Sequence, residues 1–90
     1  MTRATYSYTV TGAFVLVVDQ DSGPSVTNDA ENVIEDLSRA GVLAGRRVLY
    51  RDTDGRWDEL LVRDGAFVGF IALGAASPAG AVAKAEGHHG

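Results

Sequence analysis

Two Asp-Gly pairs, Asp54-Gly55 and Asp64-Gly65, punctuate a stretch in which apolar and polar residues alternate. Both central residues of a type I′ turn need positive φ, which Gly adopts freely and Asp tolerates. Asp-Gly between alternating runs is therefore a strong hairpin signal. The chain from Arg46 to Leu73 reads as three consecutive antiparallel strands. With two-residue turns, the first hairpin sets Arg51 opposite Asp58, Tyr50 opposite Glu59, Leu49 opposite Leu60 and Val48 opposite Leu61. The second sets Leu61 opposite Val68, Glu59 opposite Phe70 and Trp57 opposite Ala72. One face then gathers Val48, Tyr50, Trp57, Leu61, Val68, Phe70 and Ala72 around Glu59. The other carries Leu49, Leu60, Val62, Phe67, Ile71 and Leu73 among Arg47, Arg51, Arg56 and Asp58. A three-residue turn with a glycine bulge is the competing geometry, and it shifts the register by one.

Upstream, Thr5 to Val10 alternates as a half-exposed strand does, and Phe14 to Val18 is a continuous apolar run that suits a strand covered on both faces. Asp19 to Pro24 is a loop. Asn28 with Glu31 resembles a capping box, and Ala30, Val33, Ile34, Leu37 and Ala40 form one apolar helical stripe that Gly41 terminates. Residues 75–90 are small and glycine-rich, and predict a flexible tail behind a single domain spanning 1–74. The expected fold is α+β in the order ββαβββ, with a single helix packed on one face of a five-stranded, mostly antiparallel sheet.

Composition narrows the function. The 90 residues carry a net charge of −4. That balance argues mildly against nucleic acid, whose binders present a basic face, while Arg46, Arg47, Arg51, Arg56 and Arg63 cluster in the hairpins and leave a local basic patch open. No apolar run approaches a membrane span, and the polar residues after Met1 give no expectation of a leader segment. The chain has no cysteine, which removes disulfides and thiolate metal sites and fits a cytoplasmic setting. Its richness in Ala, Gly, Val, Arg and Asp fits a bacterial or phage coding sequence.

Chemical motifs are sparse. Asp52, Asp54, Asp58 and Glu59 suggest a calcium loop, but the third loop acid and the bidentate Glu are missing, so Asp-Gly turn chemistry is the simpler reading. Glu59 on an apolar face lacks a histidine, cysteine or second acid to build a catalytic set. His88 and His89 are adjacent, not spaced to share a helix face. Ser25, Thr27 and Asn28 could hold an anion at the helix start, but Asp29 and Glu31 compete there. No catalytic residue, metal or cofactor is assigned. Tyr50, Arg51, Arg56, Trp57, Asp58 and Ile71 are the candidate interface residues, being of the kinds enriched in hot spots or placed beside them.

The expectation is a non-enzymatic protein-binding module. Small bacteriophage inhibitors that block host defence complexes, anti-CRISPR proteins among them, have this general size and composition. The alternatives are a small-ligand or nucleotide-binding protein with a pocket at a homodimer interface, and, disfavoured, a small enzyme. A homodimer is expected, because one helix covers one face of the sheet and leaves Leu49, Leu60, Val62, Phe67, Ile71 and Leu73 in need of cover. Should Val42-Leu43 and the tail fold over that face, a monomer suffices.

Overall fold

The computed structural model describes residues 5–20, 30–51 and 55–87. The expected α+β fold is present, with one helix more. The elements are β1 (Thr5–Thr11), β2 (Phe14–Gln20), α1 (Ala30–Arg39), β3 (Arg47–Arg51), β4 (Trp57–Arg63), β5 (Ala66–Ala72) and α2 (Pro78–Gly87). The strands lie side by side in chain order. β2 and β3 are parallel, joined through α1, and every other neighbouring pair is antiparallel.

Local chemistry sets the turns. At the β4–β5 hairpin Arg63 pairs with Ala66, and Asp64 and Gly65 both have positive φ, 54° and 79°. These are the requirements of a two-residue type I′ turn. Beyond its chain neighbours no described residue comes within 4 Å of where a Gly65 Cβ would stand, so Gly65→Ala tests the backbone alone. We expect it to cost about 1–2 kcal/mol, the penalty of a left-handed L-residue, read as a lowered urea midpoint. An unchanged midpoint would mean the turn can relax. α1 ends in a Schellman motif: Gly41 N donates to Ser38 O and Val42 N to Leu37 O, each at 3.1 Å, with Gly41 at φ 76°. Val42 and Leu43 then return to the core.

The β3–β4 hairpin takes the competing register. Arg51 pairs with Trp57, Tyr50 with Asp58, Leu49 with Glu59 and Val48 with Leu60. One step of slip turns β4 over relative to β3, so the two faces differ from those expected. On one face Val15, Val17, Val48 and Leu60 are buried beneath Val33, Ile34 and Leu37 of α1, with Tyr6, Tyr50, Val62 and Phe67 at the margin. Tyr6 also donates its hydroxyl to Asp36 Oδ2 at 2.9 Å, tying β1 to α1.

The second face is covered too. Phe14, Leu49, Trp57 and Leu73 are buried together with Ala81 and Ala85 of α2. The segment expected as a flexible tail thus contains a helix packed on the sheet. Ser77 caps it, accepting Gly80 N on Oγ at 3.1 Å, and Pro78 occupies its first position. Ala81 and Ala85 are one turn apart, and their small side chains let the helix sit close above Trp57. The single-helix description is corrected accordingly: each face has its own helix.

Candidate functional site

Five of the six candidate interface residues fall into two groups, and Arg56 stands apart. Arg51, Trp57 and Ile71 belong to the α2 face: Arg51 is the cross-strand partner of Trp57, and Ile71 that of Glu59. Trp57 is core, 1% exposed, and Ile71 is half-buried against its cluster. Tyr50 and Asp58 pair across the strands on the α1 face, where Tyr50 packs against the core. The expected Arg51–Asp58 pairing is therefore replaced by Arg51–Trp57 and Tyr50–Asp58. Arg56 is exposed at the entry to β4. Beside it a cavity of about 520 Å³ is lined by Arg56, Trp57, Asp58, Ala72, Gly74 and Ala75, among others. Arg51 Nε and Trp57 Nε1 are both buried without a hydrogen-bond partner among the described residues.

Glu59 does not sit between Tyr50 and Phe70. It lies on the α2 face, 4% exposed, where Arg47 grips it with two hydrogen bonds, Nε to Oε2 at 2.8 Å and Nη2 to Oε1 at 2.7 Å. Arg47 stands two residues before Leu49, the cross-strand partner of Glu59, so the fork reaches diagonally. The bond from Glu59 holds the guanidinium pKa above its ordinary value, and the charge of Glu86 on α2 adds to the effect. Arg47 also lies over the Phe14 ring, 5.6 Å from its centroid. A bidentate pair around a buried carboxylate is structural chemistry. Truncating Arg47 leaves that carboxylate uncompensated, so Arg47→Ala should cost about 3 kcal/mol. Thermal melting checks this. A loss under about 0.5 kcal/mol would show the pair to be dispensable.

Arg47 forms one wall of a larger cleft, about 600 Å³, at the opposite end of the sheet. Arg46, Arg47 and Arg63 line it together with Ser38, Gly45, Leu61, Val62 and Val68. Its origin is a mismatch in strand length. β3 begins at Arg47, and its pairing with β4 runs only as far as Leu60, whereas β4 continues to Arg63 alongside β5. Arg46 is held in the wall by donating Nε to Gly12 O at 3.2 Å and Nη1 to Val42 O at 3.0 Å.

From the cleft the surface passes onto β5, an edge strand. The β4–β5 register shifts between Leu61 and Val62, which leaves Val68 as an extra residue between Phe67 and Gly69. Val68 is 59% exposed and Phe70 61%, the most exposed large apolar side chains described. Phe70 stands edge-on to Phe67, ring centroids 5.0 Å apart. Alternation in the sequence marks the β5 faces but not the bulge, so reading it alone places Val68 and Phe70 in the core.

Among the described residues no helix is long and apolar enough to cross a membrane, and no group of three or more His, Asp or Glu is placed to hold a metal ion. The calcium-loop residues Asp52 and Asp54, the helix-start residues Ser25, Thr27 and Asn28, and His88-His89 lie outside the described residues. The chain matches no family model, no curated protein and no solved structure.

Proposed function

We propose that this chain is a non-enzymatic protein-binding module, a cytoplasmic inhibitor of the phage type that works by docking on a host protein complex. The observation that carries the reading is the β5 edge. Edge strands are ordinarily blunted with charge or proline. β5 reads AFVGFIA, with neither, and it holds Val68 and Phe70 out to solvent. An exposed aromatic on an open strand edge, two residues from Val68 in the arginine-lined cleft, has the make-up of an interface hot spot. Phe70→Asp should leave the melting temperature nearly unchanged, because Phe70 is mostly exposed. It should also reduce capture of the partner, reconstituted from purified components, by about tenfold or more. Equal capture by parent and variant would refute the reading.

A second copy of the chain is the alternative occupant of the same edge. β5 is nearly symmetric about Gly69, with Val68 and Phe70 flanking it and Ala66 and Ala72 at the ends. A two-fold axis there would bring Val68 of one copy against Phe70 of the other. Light scattering separates the two: a doubled mass that Phe70→Asp returns to 9.5 kDa supports the homodimer.

A further inference from the structure

We infer that the arginine cleft receives an extended acidic segment of the partner, which lies as a short added strand beside β4. This inference rests on the protein-binding reading and specifies the chemistry of what is bound. The first support is charge. In a chain of net charge −4 with eight Lys and Arg residues, Arg46, Arg47 and Arg63 line one cleft. The one acid in its wall, Glu59, is already held by both donors of the Arg47 fork. Arg46 spends Nε and Nη1 on backbone carbonyls, so among the described residues its Nη2 and the Nη1 of Arg47 are left over. Arg63 is exposed. Guanidinium groups so arranged call for carboxylates.

The second support is the backbone. The Trp57 carbonyl accepts the Leu73 amide at 3.0 Å. Peptide groups alternate in direction along an antiparallel strand. Trp57, Glu59 and Leu61 therefore turn theirs toward β5, and Asp58, Leu60 and Val62 turn theirs toward β3. β3 pairing stops at Leu60, so Val62 presents its peptide groups to the cleft, where an incoming strand can pair with them. The cleft floor of Val48, Leu60 and Val62 suits apolar side chains set between the acidic ones.

Anisotropy titrations of the full chain test this with a short labelled peptide of alternating valine and aspartate. We expect binding about tenfold tighter than for the same peptide with asparagine in place of aspartate, and weakening as salt rises. Arg63→Glu, at an exposed position, should weaken it about tenfold again, and N-methylation of the central valine should do the same by removing a strand hydrogen bond. Equal binding of the aspartate and asparagine peptides, no binding of either, or indifference to Arg63→Glu would overturn the inference. Tighter binding of inorganic phosphate than of the peptide would reassign the cleft to a free oxyanion, and indifference to N-methylation would remove the added strand. If the peptide fails while Phe70→Asp still abolishes partner capture, the cleft inference falls and the protein-binding reading stands. If Phe70→Asp has no effect on capture, that reading falls whatever the peptide does.

Discussion

A chain ending at Gly74 is expected to lose cooperative folding. Removing α2 takes Ala81 and Ala85 off the second face and opens Phe14, Leu49, Trp57 and Leu73 to water. Burial of a large apolar side chain stabilises by about 1.5–3 kcal/mol. Re-exposing even half of four such groups costs several kcal/mol, comparable with the whole stability of a small domain, about 5–15 kcal/mol. Arg47 also loses the nearby charge of Glu86, a minor addition. Trp57 is the only tryptophan in the chain, so its emission reports directly on this face. The truncated chain should show red-shifted emission at low temperature and no sharp thermal transition. A truncated chain that melts with the parent's midpoint and keeps its emission maximum would show that α2 contributes nothing to the core.

The second large effect is expected on the opposite face. Ile34 and Leu37 are each 1% exposed, packed with Val33 against Val15, Val17, Val48 and Leu60. Leu37 also supplies the carbonyl that closes the Schellman motif onto Val42, so its side chain is fixed at both helix and loop. Leu37→Ala and Ile34→Ala should each cost about 2–5 kcal/mol, the lost transfer energy plus the cavity left behind. Glu35→Ala is the control. Glu35 pairs with Arg39 on the exposed side of α1, and an exposed pair at that spacing is worth about 0.3–0.5 kcal/mol. Urea denaturation with a constant slope measures all three. If the two core variants fall no further than Glu35→Ala, the stripe does not face the sheet.

How much of this was legible in the sequence follows from where the information resides. The α1 stripe, Gly41 and the Asp64-Gly65 turn are local signals, and the structure carries each where the residues put it, save that Ala40 of the stripe is exposed just past the helix end. The β3–β4 register is not local. Both hairpins offer Asp-Gly, and the second pairs across two residues, while the described pairs of the first, Arg51 with Trp57 onward, lie one step off the two-residue register. The observed register brings Val48 and Leu60 together under α1 and places Leu49 and Trp57 together under α2. Tertiary packing therefore decides between two turns that the sequence leaves nearly equal.

α2 escaped for a different reason. Its buried positions are alanines, which give almost no amphipathic contrast, and Gly80 lowers its intrinsic propensity. The usable signal was Ser77-Pro78, a capping residue followed by the residue favoured at the first helical position. For the candidate site, Arg51, Arg56 and Trp57 were named from residue type. Arg46, Arg47 and Arg63 were read only as part of a five-arginine cluster with Arg51 and Arg56, because the gap left by unequal strand lengths that brings the three into one cleft is not a local signal. Glu59 was flagged as an acid on an apolar face, but its partner Arg47 lies on a diagonal that the two-residue turn does not produce.

The central claim is that the chain closes both faces of its sheet with its own helices and leaves the β5 edge open for a partner. Amide hydrogen exchange of the full chain, resolved by residue, tests both halves at once. By the alternation fixed at Leu73, the amides of Phe70 and Ala72 point away from β4. The account predicts fast exchange there, slow exchange at Ile71, and protection at Ala81 through Ala85 close to that of Val33 through Leu37. Exchange of the Ala81–Ala85 amides at the rate of an unstructured peptide, or strong protection of Phe70 and Ala72 in the isolated monomer, would contradict it.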